Sequence, residues 1–238
     1  MLRVNRVIVL FLLFAGCQTQ DTLLKSTGTE YFPMKVGLFW EYDVVETVIS
    51  QVSGQTTELY TLRHIVTDSL SSSGERTFII QRSRRADANS AWSTLDTWSV
   101  RLSTFQAIMQ EGNVPFVRMQ FPLSEGKSWN GNSLNNLTGS DACADGSFQC
   151  DNYQVVSLGK AFQTTGLSYS NSVTIVENNE DDPIVMQDVR KSVYAASVGL
   201  VYRELSQLEY CTIGACIGQK VVENGLVQKQ TLTAHGTL

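Results

Sequence analysis

Residues 40–44 read Trp-Glu-Tyr-Asp-Val, and Tyr60, Leu62, His64 and Val66 recur at every second position of a later segment. A period of two places alternate side chains on one face of a β-strand. Further runs rich in Val, Ile, Thr, Tyr and Phe lie at residues 76–84, 92–102, 116–121, 153–162, 167–176, 184–194 and 199–210. We find no sustained helical period of apolar residues. About ten strands separated by short turns predict an antiparallel all-β domain.

Polar turn segments separate these runs, at residues 51–54, 71–74, 111–113, 178–183 and 224–225. Asn224-Gly225 stands between two aliphatic pairs, a pattern typical of a type I′ hairpin turn. Residues 178–182 read Asn-Asn-Glu-Asp-Asp but lack the ligand spacing that preorganises a Ca²⁺ loop. We therefore expect a solvated hairpin tip there, ended by Pro183.

The composition limits the class of function. The chain has 238 residues, of which 42% are apolar and 17% charged, enough for the core of one ordinary domain. A net charge of −5 gives no positive surface for nucleic acid, so no nucleic-acid partner is expected. The two histidines, His64 and His235, leave little material for histidine-based catalysis or a multi-histidine metal site. No metal site and no cofactor are expected.

The N-terminus has the pattern of an export signal. Arg3 and Arg6 precede an apolar run over residues 7–14, which is too short to span a membrane. Residues 13–17 read Leu-Phe-Ala-Gly-Cys and resemble the lipobox of a bacterial lipoprotein signal peptide. The resemblance implies cleavage before Cys17, a diacylglycerol on its sulfur and an acylated amine. Gln18 follows the cysteine, and by the same resemblance this favours the outer membrane.

We therefore divide the chain into three segments. Residues 1–16 form the signal peptide, and residues 17–29 form a lipidated tether because they are polar and small. Residues 30–238 form a single β-rich domain.

Four cysteines remain once Cys17 is assigned to lipid: Cys143, Cys150, Cys211 and Cys216. An even number in an exported chain indicates disulfides, and three pairings are possible. We favour the two local pairs because each closes a short glycine-containing loop, worth about 2 kcal/mol in the loop-entropy model. A zinc site built from all four thiolates is the alternative, although neither pair has the usual two-residue spacing.

One motif occurs twice. Residues 32–40 read FPMKVGLFW and residues 121–129 read FPLSEGKSW, so both copies fit F-P-[ML]-x-x-G-x-x-W. Proline ends strand pairing, glycine permits a turn with positive φ, and tryptophan starts the next strand with a large apolar side chain. We call this segment the corner motif, and its structural residues are Pro33, Gly37, Trp40, Pro122, Gly126 and Trp129. The copies are too short to prove a duplicated domain.

The corner motifs, together with residues 194–204, which read YAASVGLVYRE, resemble a family of exported β-proteins. Many members of this family are lipoproteins, and they are common in Bacteroidota-like bacteria. The resemblance covers short islands within about residues 31–235, and Ser197 stands where the family often has Gly. It implies a curved sheet or half-open β-barrel with short loops, and it brings neither an assigned activity nor catalytic residues.

The chain has no coherent catalytic motif. It contains no G-x-S-x-G nucleophile elbow, and the S-x-x-K match at Ser157 has no accompanying motif. A hydrolase built on scattered carboxylates such as Glu41, Asp43 or Glu204 would need two of them to converge within about 5–10 Å. We therefore expect a protein that is not an enzyme.

Four tryptophans and ten phenylalanines either fill the core or line a concave binding face. Trp92 and Trp98 lie six residues apart, so on one strand they would share a face, and they are the candidate ligand-binding residues. Trp40 and Trp129 belong to the corner motifs, which favours a role in the core.

These observations predict a lipoprotein of the bacterial cell envelope, anchored in the outer membrane by its lipid, with a non-catalytic binding or structural role. Its expected partners are the membrane and an apolar ligand or an envelope protein. A carrier of lipid or another apolar ligand in the concavity of the sheet is the first alternative, and it requires a cavity of roughly several hundred Å³. A hydrolase is the second.

Overall fold

The computed structural model describes residues 27–72, 75–137, 151–164 and 166–238. The strands of this part of the chain are β1 (Leu38–Ser50), β2 (Gly54–Ser72), β3 (Glu75–Arg85), β4 (Ser93–Leu102), β5 (Gln106–Glu111), β6 (Val114–Gln120), β7 (Ser128–Asn130), β8 (Asn152–Gln163), β9 (Ser168–Asp182), β10 (Met186–Ala195), β11 (Gly199–Tyr210) and β12 (Val222–Thr237). Two short 3₁₀ helices, Thr29–Tyr31 and Gly214–Cys216, accompany them. The prediction of an antiparallel all-β fold is confirmed.

The twelve strands form one sheet in the order β6-β5-β4-β3-β2-β1-β12-β11-β10-β9-β8-β7. It curves into a nearly closed barrel-like shape. We call β1–β6 the first half and β7–β12 the second half. Each half is a meander of neighbouring strands, and the halves join through the antiparallel ladder between β1 and β12. The edge strands β6 and β7 face each other across what we call the seam.

A corner motif begins each half, and the two copies make the same hydrogen bonds. The N–H of Gly37 donates to the carbonyl of Val66 on β2, and the N–H of Gly126 donates to that of Val155 on β8, both at 2.8 Å. Both glycines have positive φ, 91° and 80°. The equivalent bonds show that the corner motif is a repeated structural unit, and each copy leads into the first strand of one half of the sheet.

The tryptophans of the corner motifs are buried, as the sequence predicts. The indole N–H of Trp40 donates to the carbonyl of Val198 at 2.6 Å, and that of Trp129 donates to the carbonyl of Val117 at 2.7 Å. The bond from Trp129 crosses the seam, because Trp129 lies on β7 and Val117 on β6. Pro33 and Pro122 precede the two turns outside the regular strands.

Inward-facing side chains of both halves fill the concave side of the sheet. The buried apolar set includes Tyr42, Ile80, Met119, Tyr153, Ile175 and Leu232. Alternation along the strands explains this arrangement, since every second side chain of a strand points to the same face. The core therefore lies inside the curved sheet.

The predicted turn at Asn224-Gly225 is wrong, because both residues lie within β12. They pair with Ser50 and Ile49 of β1. A Cβ atom at Gly225 would lie 2.6 Å from the carbonyl oxygen of Gln207 on β11, so this glycine permits close approach of two strands. The Asn-Gly pair thus serves strand packing here.

The predicted turn over residues 178–183 is also placed too early. Strand β9 continues to Asp182, and the turn follows at Pro183. Asn178 is buried and its amide donates to Asp188 at 3.1 Å, while Arg190 binds the same carboxylate. These residues belong to the ladder between β9 and β10, in which Asn178 pairs with Arg190, so the segment is extended, with Asn178 buried, and is not a solvated hairpin tip.

The described chain begins next to the second corner motif. The carbonyl of Thr27 accepts a hydrogen bond from the N–H of Leu123 at 2.9 Å. The last residues of the predicted tether, 27–29, therefore contact the domain. Residues 1–26, which include the predicted signal peptide and Cys17, lie outside the described residues.

Candidate functional site

A cavity of about 50 Å³ lies on the concave side of the sheet. One part of its wall is aromatic and is formed by Phe32, Trp40, Tyr42, Trp98 and Tyr194. The other part is polar and is formed by His64, Glu111, Arg118, Ser192, Arg203 and Gln230. We call this space the cleft, since it joins an apolar wall to a set of charged side chains from both halves of the sheet.

Arg118 is the centre of the charged wall. Its side chain is 3% exposed and donates to three partners, which are Glu111, Tyr153 and Glu177. The bonds to Tyr153 and Glu177 are both 2.8 Å long. Ser192 also donates to Glu177. These contacts join β5, β6, β8, β9 and β10, so the cluster ties together strands on both sides of the seam.

The two carboxylates are held in the ionised state. Burial alone raises the pKa of Glu177, but the positive charges of Arg118 and Arg203 outweigh it, and the pKa falls to about 2. Burial opposes ionisation of Glu111 as well, and the same two arginines lower its pKa. Neither group is therefore suited to donate a proton at neutral pH.

Arg203 is held more loosely than Arg118. Its guanidinium lies 3.5 Å from Glu111 and 3.6 Å from Glu177, beyond good hydrogen-bonding distance. Arg203 on β11 is the cross-strand partner of Gln230 on β12. Gln230 is 5% exposed, and its side-chain nitrogen has no hydrogen-bond partner among the described residues.

His64 forms the opposite side of the cleft. Arg82 donates to its Nε2 at 3.1 Å, which makes that nitrogen an acceptor and leaves the ring neutral. Burial and the charges of Arg82 and Arg203 lower the pKa of His64 to about 3. A histidine in this state does not act as a general base through a pKa near neutrality.

Arg82 is itself fixed between a ring and a carboxylate. Its guanidinium carbon lies 3.7 Å from the ring centroid of Trp98, and its terminal nitrogen donates to both oxygens of Asp96 at 2.9 and 3.0 Å. The indole N–H of Trp98 also donates to Asp96 at 3.1 Å. Trp98 is thus held in one orientation on the cleft wall.

Of the two candidate binding tryptophans, Trp98 lines the cleft and Trp92 does not. Trp92 stacks between Arg63 and Arg85, whose guanidinium carbons lie 4.1 and 4.4 Å from its ring centroid. Both arginines also face Glu41, at 4.0 and 3.5 Å. This group lies on the convex face of the sheet.

A β-bulge separates the two tryptophans. The register of β4 against β3 shifts between Arg82 and Ser83, and the extra residue of β4 is Leu95. Because an extra residue reverses the alternation beyond it, Trp92 and Trp98 point to opposite faces. The prediction that they share one face is therefore wrong.

The carboxylates considered for a hydrolase do not line the cleft. Glu41 faces Arg63 and Arg85, as described above. Glu204 accepts a hydrogen bond from Tyr202 at 2.8 Å and pairs with Lys191 at 3.0 Å. Asp43 is exposed on β1. Two other pairs of carboxylates share one arginine: Glu111 and Glu177 bind Arg118 beside the cleft, and Asp151 and Asp188 bind Arg190. The sequence analysis singled out neither pair as candidate carboxylates.

Cys211 and Cys216 form a disulfide with a Cα–Cα distance of 5.9 Å. It closes a short ring over residues 211–216 within the connection between β11 and β12. The predicted partners Cys143 and Cys150 lie outside the described residues.

The described residues contain no group of three or more His, Cys, Asp or Glu side chains arranged to hold a metal ion. Within the same residues, no helix has the length and hydropathy needed to cross a membrane.

Solved structures that are similar to this chain include two from the following bacteria. A protein from Bacteroides fragilis, assigned as exported and with a YmcC-like fold, is 12% identical, with a TM-score of 0.42 over 86% of this chain and 98% of its own. A protein from Parabacteroides distasonis, assigned as a lipoprotein, is 8% identical, with a TM-score of 0.43 over 87% and 98%. No protein-family model and no curated protein matches the chain. At these scores the two structures assign neither a family nor a function to this chain.

Proposed function

We propose that this protein is a lipoprotein of the bacterial cell envelope, anchored in the outer membrane through Cys17, that binds a ligand or partner and performs no catalysis. The lipobox pattern supports the anchor. The cleft supports the binding role, because an apolar wall with a few convergent polar groups is the usual construction of a ligand site.

The charge state of the cleft carries the non-catalytic part of the proposal. The carboxylates Glu111 and Glu177 are held ionised by arginines, and His64 is held neutral by burial. A general acid or base needs a pKa near the working pH, and none of these three groups has one. Such fixed groups suit recognition.

The cleft does not suit a lipid carrier. Its ligand would need several hundred Å³ of interior space, whereas the cleft has about 50 Å³. A ligand that enters the cleft is therefore small. A larger partner, such as a protein, would contact only the opening of the cleft.

Fractionation tests the anchor. The wild-type protein should separate with outer membranes and show the mass of an acylated chain beginning at Cys17. Cys17→Ser should remain unprocessed, and Gln18→Asp should move the protein toward the inner membrane. An unprocessed wild-type chain in the soluble fraction would contradict the proposal.

Purification from native envelopes tests the binding role, with mass spectrometry of both small molecules and proteins. A bound component should be lost with Trp98→Ala, which opens the cleft wall, and retained with Trp92→Ala on the convex face. Equal recovery with both variants would show that the cleft is not the site. Turnover of ester, glycoside or peptide substrates by the wild type would contradict a non-catalytic role.

A further inference from the structure

Two side chains of the cleft, Gln230 and Arg203, have N–H groups whose hydrogen-bonding capacity is not satisfied. The side-chain nitrogen of Gln230 is buried without a hydrogen bond, which is costly for an amide removed from water. Its cross-strand neighbour Arg203 has five N–H groups, and its contacts with Glu111 and Glu177 are 3.5 and 3.6 Å long. A ligand with two hydrogen-bond acceptors would satisfy the N–H groups of both side chains.

One cation of the cleft wall favours an anion. Arg118 and Arg203 line the cleft together with Glu111, and Glu177 contacts both arginines while it is 2% exposed. The two arginines and the two ionised carboxylates sum to zero, so an anion is favoured by the position of Arg203 and not by a net positive charge. Arg118 already donates to three partners, which leaves Arg203 as the cation that faces the open space. A carboxylate would receive charge-assisted bonds, which are stronger than bonds to a neutral acceptor.

The volume sets the size of the ligand. One water molecule needs about 10–15 Å³ of such space, so a cleft of about 50 Å³ accommodates roughly three to five non-hydrogen atoms. Tyr42 and Trp98 complete the wall and suit an alkyl remainder.

We propose that the cleft binds a short-chain monocarboxylate, with its carboxylate accepting hydrogen bonds from Gln230 and Arg203 and its alkyl end against the aromatic wall. This inference deepens the proposed binding function, because it names the chemistry of the same site. Ordered water alone is the competing occupant, since a polar cavity of this size also suits water.

Acetate is the probe, and saturation transfer to its methyl group in NMR is the measurement, at constant ionic strength. The wild type should show saturable binding of acetate, at least tenfold tighter than binding of the neutral isostere acetamide. In Gln230→Leu the Kd for acetate should rise at least tenfold. Lys229→Met is the matched control, because Lys229 precedes Gln230 on β12 and lies on the convex face, and its Kd should equal that of the wild type.

Arg203→Met should abolish binding, but it also removes a partner of two buried carboxylates, so Gln230→Leu is the decisive variant. Absence of saturable acetate binding by the wild type would overturn the inference in favour of water alone. An unchanged Kd in Gln230→Leu would overturn it as well. A protein that fractionates with the envelope and retains a partner, yet does not bind acetate, would leave the proposed function standing without this ligand.

Discussion

Replacement of Arg118 by methionine should lower the free energy of unfolding by about 3–5 kcal/mol at pH 7, because it leaves two buried carboxylates without their main cation. The pKa of Glu177 gives a second measure of the same effect. Its fall from 4.5 to about 2 corresponds to about 3 kcal/mol of preference for the ionised state. The general cost of breaking a buried ion pair and the value from the pKa of Glu177 therefore agree.

The loss should depend on pH. In the wild type, Glu177 has a lower pKa in the folded chain than in the unfolded one, so its stabilisation is complete above about pH 4.5 and is lost as the pH falls toward 2. In Arg118→Met, burial without its main cation raises the pKa of Glu111 and Glu177, so the folded chain retains protons that the unfolded chain releases. Stability of the variant therefore rises as the pH falls, and the difference from the wild type shrinks between pH 7 and pH 4.

Urea unfolding followed by tryptophan fluorescence at pH 7, 5.5 and 4 measures both effects. Arg101→Met is the matched control, because Arg101 is half exposed and pairs with Glu75 at 3.8 Å, and it should change stability by less than about 0.5 kcal/mol. Adding Glu111→Gln to Arg118→Met should recover part of the loss, since Glu177 and Arg203 then remain as a pair of opposite charge. A loss below about 1 kcal/mol, or one that is equal at pH 7 and pH 4, would refute the reasoning.

Three further predictions concern single groups. Trp129→Phe should cost about 1–3 kcal/mol in urea unfolding, because the buried carbonyl of Val117 loses its donor; no change would show that the bond across the seam is replaced by water. Cys211→Ser, which breaks the disulfide to Cys216, should cost about 2 kcal/mol, and a much larger loss would contradict a role confined to the loop. The ring resonances of His64 should not titrate in NMR between pH 5 and pH 8, because burial lowers its pKa to about 3; a midpoint in that range would show that the ring is hydrated.

The bounds of a strand were predictable where the alternation of apolar and polar side chains stops at a residue that favours a turn. The predicted run over residues 199–210 has the same bounds as β11, which starts at Gly199 with φ 97° and ends before the disulfide loop. The Asn224-Gly225 turn failed because an Asn-Gly pair also fits a strand where two backbones approach closely. Only the pairing of this segment with β1 and β11 reveals which role the Asn-Gly pair has.

The cleft was less predictable, because its polar partners are far apart along the chain. Arg118 stands between the buried residues Val117 and Met119 and is the extra residue of a β-bulge, because Val117 pairs with Ile108 and Met119 with Ala107 on β5. An arginine within an apolar run was the available signal. Its partners Tyr153 and Glu177 are 35 and 59 residues away, so alternation alone could not identify them.

The position of the Arg118 cluster follows from how the two halves close. The first half joins the second through a long ladder between β1 and β12, whereas the seam between β6 and β7 is crossed by individual bonds such as Val117 to Gly131 at 2.9 Å. A curved sheet that lacks a ladder at one junction needs other contacts there. Arg118 supplies them, because it reaches from β6 to Tyr153 and Glu177 on the far side of the seam. The same side chain therefore closes the sheet and gives the cleft its charged wall, so stability and recognition depend on one cluster.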